Sequence, residues 1–381
     1  MQLWDAIIVG AGPAGCAAAY DLAAAGRRVL LLDKAQFPRS KACAGALTMK
    51  AVRALRYSIT PVVRHTVREI QLEHESVGVL TAGRRKPVCV MTVRAELDAY
   101  CLEKTCRRGV VFRQIGPISG LRQEPDRVVL ELEGEQLAGR VLLGADGVHS
   151  RVRGLAGASA SSPAAGAGWF RTGFAVEANV PYSATGRAFP LVFDFAPVAG
   201  GYGWLFPRND HVNVGLYTAG SGPAPDRAAL SAYIAARCGT TEHTRAVGQF
   251  LGFGGAGYAP AAGRVLLAGD AAGCVDPLTG EGIYGAIASG QAAAAAILST
   301  LQQGADPSPH YRAGLARLRA DLSVAERAAR RFYAQPERGF RLMQMPLVRR
   351  AVLHSYSEGL SLRWLDRGIG VARRLMSSAS H

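Results

Sequence analysis

The sequence predicts an α/β chain in three parts: a half built on a parallel sheet, a half built on an antiparallel sheet, and a helical C-terminal region. Three observations carry this. "LWDAIIVGAGPAGCAAAYDLAAAGRRVLLLDKA" at the N-terminus runs strand, tight turn, helix, strand. The runs "TGFAVEANV", "AFPLVFDFAP", "GYGWLFP" and "HVNVGLYT" are rich in β-branched and aromatic residues and are separated by turn residues. Beyond Pro307 strand signals nearly cease. At 381 residues the chain exceeds what one hydrophobic core usually supports, so several units are expected. A hydrophobic fraction of 49%, with 45 glycines and 19% charged residues, excludes disordered and fibrous classes.

In the first unit the chain turns through Gly10, Gly12 and Gly15 into an Ala-rich helix, and the second strand ends at Asp33, followed by Lys34. Gly10 permits the tight turn. Gly12 lets backbone approach a pyrophosphate, and Gly15, next to Ala14, lets helix and strand pack closely. The first N–H groups of the helix and its dipole then face the phosphates, and Asp33 is placed to accept hydrogen bonds from ribose hydroxyls. Dinucleotide binding is the expectation.

Two later segments choose between dinucleotides. "VLLGADGVHSRVR" (141–153) is an apolar strand ending in Asp146 and Gly147. "GRVLLAGDAAGCVDPLTGEGIYGAIASGQAAAAAIL" (263–298) is another, ending in Gly269 and Asp270, followed by a loop through Gly282 and a small-residue helix from Ile283. They resemble the paired fingerprints of FAD-dependent oxidoreductases built like p-hydroxybenzoate hydroxylase. The resemblance implies a Rossmann-like FAD-binding domain in which Asp270 meets the ribityl chain and the helix after Gly282 points its N-terminus at the flavin pyrimidine ring. A helix terminus there would stabilise the anion of the reduced ring. "TVRAELDAYCLEK" resembles an element whose arginine, here Arg94, contacts FAD; Leu97 stands where that element usually has Phe.

"PRSKACAGAL" (38–47), "GGYGWLFPRNDHVNVGL" (200–216) and "DPLTGEGIYGA" (276–286) resemble segments of the geranylgeranyl reductase family, with Ala44 where the family usually has Gly. The resemblance covers about the first 300 residues. It implies reduction of isolated C=C bonds in a polyprenyl chain. The expected cofactor contacts are Gly10, Gly12, Ala14, Gly15, Asp33, Lys34, Lys41, Ala44, Gly45, Arg94, Asp270, Gly282 and Ile283. Small residues at 42 and 44–46 let backbone run beside the flavin, and Cys43 sits at the mouth of the cavity as proton donor or shaping residue; a small buried hydrophobe is the alternative. Tyr202, Trp204 and Phe206, with Phe193 and Phe195, supply an apolar substrate wall or part of the core. The expected division is 1–60, 92–155 and 258–304 for the FAD-binding domain, 61–91 and 156–257 for the antiparallel substrate domain, and 305–381 for the helical region.

The 44 Lys plus Arg against 29 Asp plus Glu give a net charge of +15, which draws the chain toward anionic surfaces. No nucleic-acid module is recognisable; a lipid surface fits a long apolar substrate better. No apolar run is expected to span a bilayer, and only Asp5 precedes the first apolar stretch, where a signal peptide would carry positive charge. Seven cysteines without a CxxC pair suggest reduced thiols in a cytoplasmic protein and no metal site, and the basic charge with an apolar substrate suggests a place peripheral to the inner membrane surface. NAD(P)H and a ferredoxin-like protein both remain open as electron donor. A flavin-dependent monooxygenase or halogenase on the same scaffold is the alternative function, since fold alone does not separate these chemistries.

Overall fold

The structure, a computed structural model, describes residues 2–157, 170–220, 222–255 and 258–359. The small-residue connector up to 168 and the basic stretch beyond Gly359 lie outside the described residues. At the centre of the first half, Leu3–Val9 lies between Val29–Asp33 and Glu135–Gly144, all parallel. Val111–Gln114 and Val265–Leu267 extend this sheet at its two sides, also in parallel. Val29–Asp33 is buried at every position, which is why "VLLLD" shows no alternation: helices cover one face, and chain packs on the other. Helix Pro13–Ala24 starts on a proline whose missing N–H is not needed there, and packs against helix Ile283–Gln303. Small residues make that approach close. A methyl built on Gly290 would stand 2.2 Å from the Ala14 carbonyl oxygen, and one on Gly15 1.8 Å from that of Gly10.

The second sheet has seven strands, in the order Val247–Phe253, Arg171–Pro181, His211–Thr218, Gly201–Pro207, Leu191–Asp194, Glu69–His74 and Gly78–Gly83. The expected hairpin is present, with Tyr202 opposite Tyr217 and Pro207 opposite Val212. The expected antiparallel pairing holds for five of its six strand pairs; the sixth, Leu191–Asp194 with Glu69–His74, runs parallel. A parallel neighbour distant in sequence leaves no turn signal to read. Alternation gives this sheet two faces. Val192, Leu205, Val214 and Leu216 pack under helix Arg227–Cys238, while Phe193, Tyr202, Trp204 and Phe206 face the opposite way.

Three helices close the described chain: Pro307–Ala334, Pro336–Met343 and Pro346–Glu358, each with proline in its first turn. Phe340, Met343 and Leu353 bury themselves against the aromatic face of the sheet. One described helix meets the length and hydropathy of a membrane span. This helix, Ile283–Gln303, is largely buried in the core of the first half.

Candidate functional site

Between the two sheets lies a cavity of about 150 Å³, open to solvent on one side. Both loops singled out in the sequence line it: Lys41–Ala46 and Thr279–Ile283. Phe193, Tyr202, Trp204 and Phe206 form an aromatic wall. Phe195 does not; it packs on Phe332 with ring centroids 4.8 Å apart. Lys41, Arg94 and Asp270 gather at the other, polar end, with Pro13 of the dinucleotide helix beside them.

Each loop is fixed by its neighbours. The Cys43 N–H donates to Glu177 Oε1 at 2.8 Å, Arg208 Nη2 donates to the Ala44 carbonyl at 2.7 Å, and the Thr92 N–H donates to the Gly45 carbonyl at 2.8 Å. Gly45 sits at φ +71°, and a Cβ there would lie 2.1 Å from the Thr92 carbonyl oxygen. The loop's own packing therefore demands this glycine. The Gly45 N–H donates to Cys43 Sγ at 3.4 Å, so the thiol closes a small ring with its own loop. Across the cavity, three phenols grip three consecutive carbonyls. Tyr217 donates to Pro277 at 2.9 Å, Tyr333 to Leu278 at 2.5 Å, and Tyr202 to Thr279 at 2.6 Å.

Electrostatics differ along the cavity. Burial pushes the Glu177 carboxyl up to about 7, against the hydrogen bond from Cys43 and the nearby Arg208. Burial and then the Arg94 guanidinium hold the half-buried Lys41 ammonium below its usual range. Arg94, which begins helix Arg94–Cys106 as expected, donates Nε and Nη2 to the Asp98 carboxylate at 2.9 and 2.8 Å. Arg39 reaches the same carboxylate at 3.1 Å. Trp204 Nε1 donates to Asn213 Oδ1 at 2.8 Å, and Asn213 in turn donates to Asn179.

Not every expected residue reaches the cavity. Asp33 is buried behind the glycine turn and accepts the Ala11 and Ala35 N–H groups at 2.7 and 2.8 Å, leaving a second acceptor site on each oxygen. Lys34 is exposed, away from the cavity lining. Ala14 and Gly15 serve the close packing described above. Glu177, Arg208, Tyr217, Tyr333 and Tyr356 escaped the sequence reading. Glu177 left one trace, a charge on the otherwise apolar run "TGFAVEANV".

These residues fit FAD. A Cβ on Gly12 would find nothing nearer than Arg39 Nη2 at 3.6 Å, so backbone at the turn is open to a pyrophosphate. The N-terminus of the 21-residue helix from Ile283 opens onto the polar end of the cavity.

The chain matches the family described as FAD binding domain over residues 4–328. It is 31% identical to an uncharacterized protein of Methanosarcina barkeri over 95% of this chain and 92% of that protein. It is 32% identical to a menaquinone reductase of Mycolicibacterium smegmatis, covering 77% and 76% of the two chains. To digeranylgeranylglycerophospholipid reductase 3 of Methanosphaera stadtmanae it is 28% identical, covering 76% of each. Among solved structures, a geranylgeranyl bacteriochlorophyll reductase-like protein of Thermoplasma acidophilum superposes with a TM-score of 0.74 at 20% identity, over 86% of this chain and 88% of that one. A flavin-dependent brominase superposes at 0.73 with 18% identity, over 98% and 100%. At these identities the two structures establish the shared fold.

Proposed function

Because this chain belongs to the FAD binding domain family, and within it to the geranylgeranyl reductase type, we propose that it saturates isolated C=C bonds of a polyprenyl chain. The observation that carries this reading is the cavity's gradient, polar between its two backbone loops and aromatic beyond them. When bound, reduced FAD supplies a hydride. The protein would hold the cofactor through Gly10, Gly12, Gly15, Asp33, Lys41, Ala44, Gly45, Arg94, Asp270, Gly282 and Ile283. Isolated alkenes are not polarised, so the protein's contribution is positioning and exclusion of water. Tyr202, Trp204 and Phe206 would lay the chain along the wall, their polar atoms already engaged elsewhere. Of the groups lining the cavity that can carry an exchangeable proton, Cys43 at Sγ and Glu177 at its carboxyl are the candidates for the donor. Burial pushes the Glu177 carboxyl up to about 7, which brings its protonated form within reach of neutral pH.

The relatives' names offer two carriers of such a chain, an isoprenoid quinone and a digeranylgeranyl glycerophospholipid. Either would be drawn from a membrane, which makes the protein peripheral to one. NAD(P)H or a ferredoxin-like protein would supply the electrons. The brominase likeness keeps a second reading, an oxygen-dependent monooxygenase or halogenase. Turnover under anaerobic conditions with dithionite separates them. A reductase adds the mass of H2 for each bond saturated. An oxygen-dependent enzyme leaves the chain untouched until air is admitted.

A further inference from the structure

The turn between helices Pro336–Met343 and Pro346–Glu358 is apolar where solvent meets it. Leu342 is 56% exposed, Met345 54% and Leu347 81%, while Phe340 and Met343 beside them are buried. Three large apolar side chains are thus exposed within six consecutive positions, unlike a scatter of single exposed residues. Arg341, Arg349 and Arg350 flank them, and none has a carboxylate partner among the described residues. Elsewhere many of the arginines are paired, as Arg56 is with Asp21 and Arg64 with Glu96. Unpaired guanidinium groups on long stems beside exposed leucines match a surface that is anionic outside and apolar just beneath.

We propose that this turn inserts into the headgroup region of an anionic lipid bilayer. Resting on the reading of a long apolar substrate, the inference adds the surface through which that substrate is taken. The geometry supports the route. Helix Pro346–Glu358 carries Leu347 at its exposed end and Tyr356, a lining residue of the cavity, about 14 Å further along its axis. Tyr356 meets Phe193 edge-on at 5.9 Å, so the docking helix and the aromatic wall are in contact. One rigid element thus joins bilayer and cavity.

The test is cosedimentation of the full-length protein with vesicles of phosphatidylcholine containing phosphatidylglycerol, against pure phosphatidylcholine, with no substrate present. Wild type binds the anionic vesicles, and salt weakens the binding. Replacing Leu342, Met345 and Leu347 together by Ser lowers affinity by about tenfold or more. Replacing Arg341, Arg349 and Arg350 together by Gln lowers it about a hundredfold, at about fivefold per charge, and removes the preference for phosphatidylglycerol. Circular dichroism melts verify that both variants stay folded. Unchanged vesicle binding by the serine variant overturns the inference. So does a serine variant that converts a dimer to a monomer in sedimentation without altering vesicle binding, since a second copy then covers the turn. Turnover of a detergent-solubilised chain is a separate readout. Its absence in every variant would defeat the proposed reaction and leave the docking surface standing.

Discussion

The two loops that flank the cavity have their carbonyls and N–H groups held by different side chains. The cysteine loop leans on charge: Glu177 accepts its Cys43 N–H, and Arg208 donates to its Ala44 carbonyl, both from buried positions. The carbonyls of the loop from Asp276 to Gly282 are held by neutral phenols, with Tyr217, Tyr333 and Tyr202 donating to 277, 278 and 279, while Lys50 pairs with Glu281 near its end. Buried charge is costly, and the cost appears as the raised carboxyl of Glu177 and a lowered Arg208 guanidinium, both driven first by burial. Phenol to carbonyl bonds carry no such cost. The consequence is that the wall held by Glu177 responds to pH near neutrality.

The largest expected effect comes from breaking the cysteine loop sterically. Gly45→Ala places a methyl 2.1 Å from the Thr92 carbonyl at a left-handed φ, so it should cost on the order of 3 kcal/mol in denaturant unfolding. Retention of wild-type stability would mean that the loop relaxes freely.

The next sharpens the charge contrast. The Glu177 pKa rises from about 4.5 unfolded to about 7 folded, so between these values the folded protein keeps a proton that the unfolded chain has released. The stabilisation is full below pH 4.5 and is lost as pH rises through 7. Wild type should therefore lose up to about 3 kcal/mol relative to Glu177→Gln across that window, read as a pH series of unfolding midpoints. A pH-independent difference between the two would contradict it.

A smaller effect is expected on the neutral side. Tyr217→Phe, Tyr202→Phe and Tyr333→Phe each leave one carbonyl short of a donor, at about 1 kcal/mol apiece, with no change between pH 5 and pH 8. A pH-dependent loss in these variants would erase the contrast. Of similar size is Trp204→Phe, which keeps an aromatic wall but leaves Asn213 Oδ1 without its indole donor. It should cost about 1 kcal/mol in unfolding and weaken retention of a polyprenyl chain in a binding assay.

Much of this was legible in the residues. The strand, turn and helix at Gly10–Gly15 follow from spacing and small side chains, and the hairpin from Gly201 to Thr218 from its aromatic alternation and short turn. The two loops could be matched as sequence, and they do line one cavity. What holds them was not legible. Arg208 reads as a turn residue and Tyr333 as one position on a helix, because the partners lie 164 and 55 residues away and no local pattern records them. The parallel pairing of Glu69–His74 with Leu191–Asp194 was hidden for the same reason. In the sequence Gly45 suggests room for a flavin; in the fold Thr92 and Arg208 already require it.

The central claim is that an isoalloxazine lies between these two loops with a polyprenyl chain against the aromatic wall. A crystal structure of the FAD-loaded protein with a geranylgeranyl chain bound tests it most directly. The account predicts the ring between Ala44–Gly45 and Gly280–Gly282, with the chain along Trp204 and Phe206. A flavin seated outside the two loops, or a chain bound away from that wall, would contradict it.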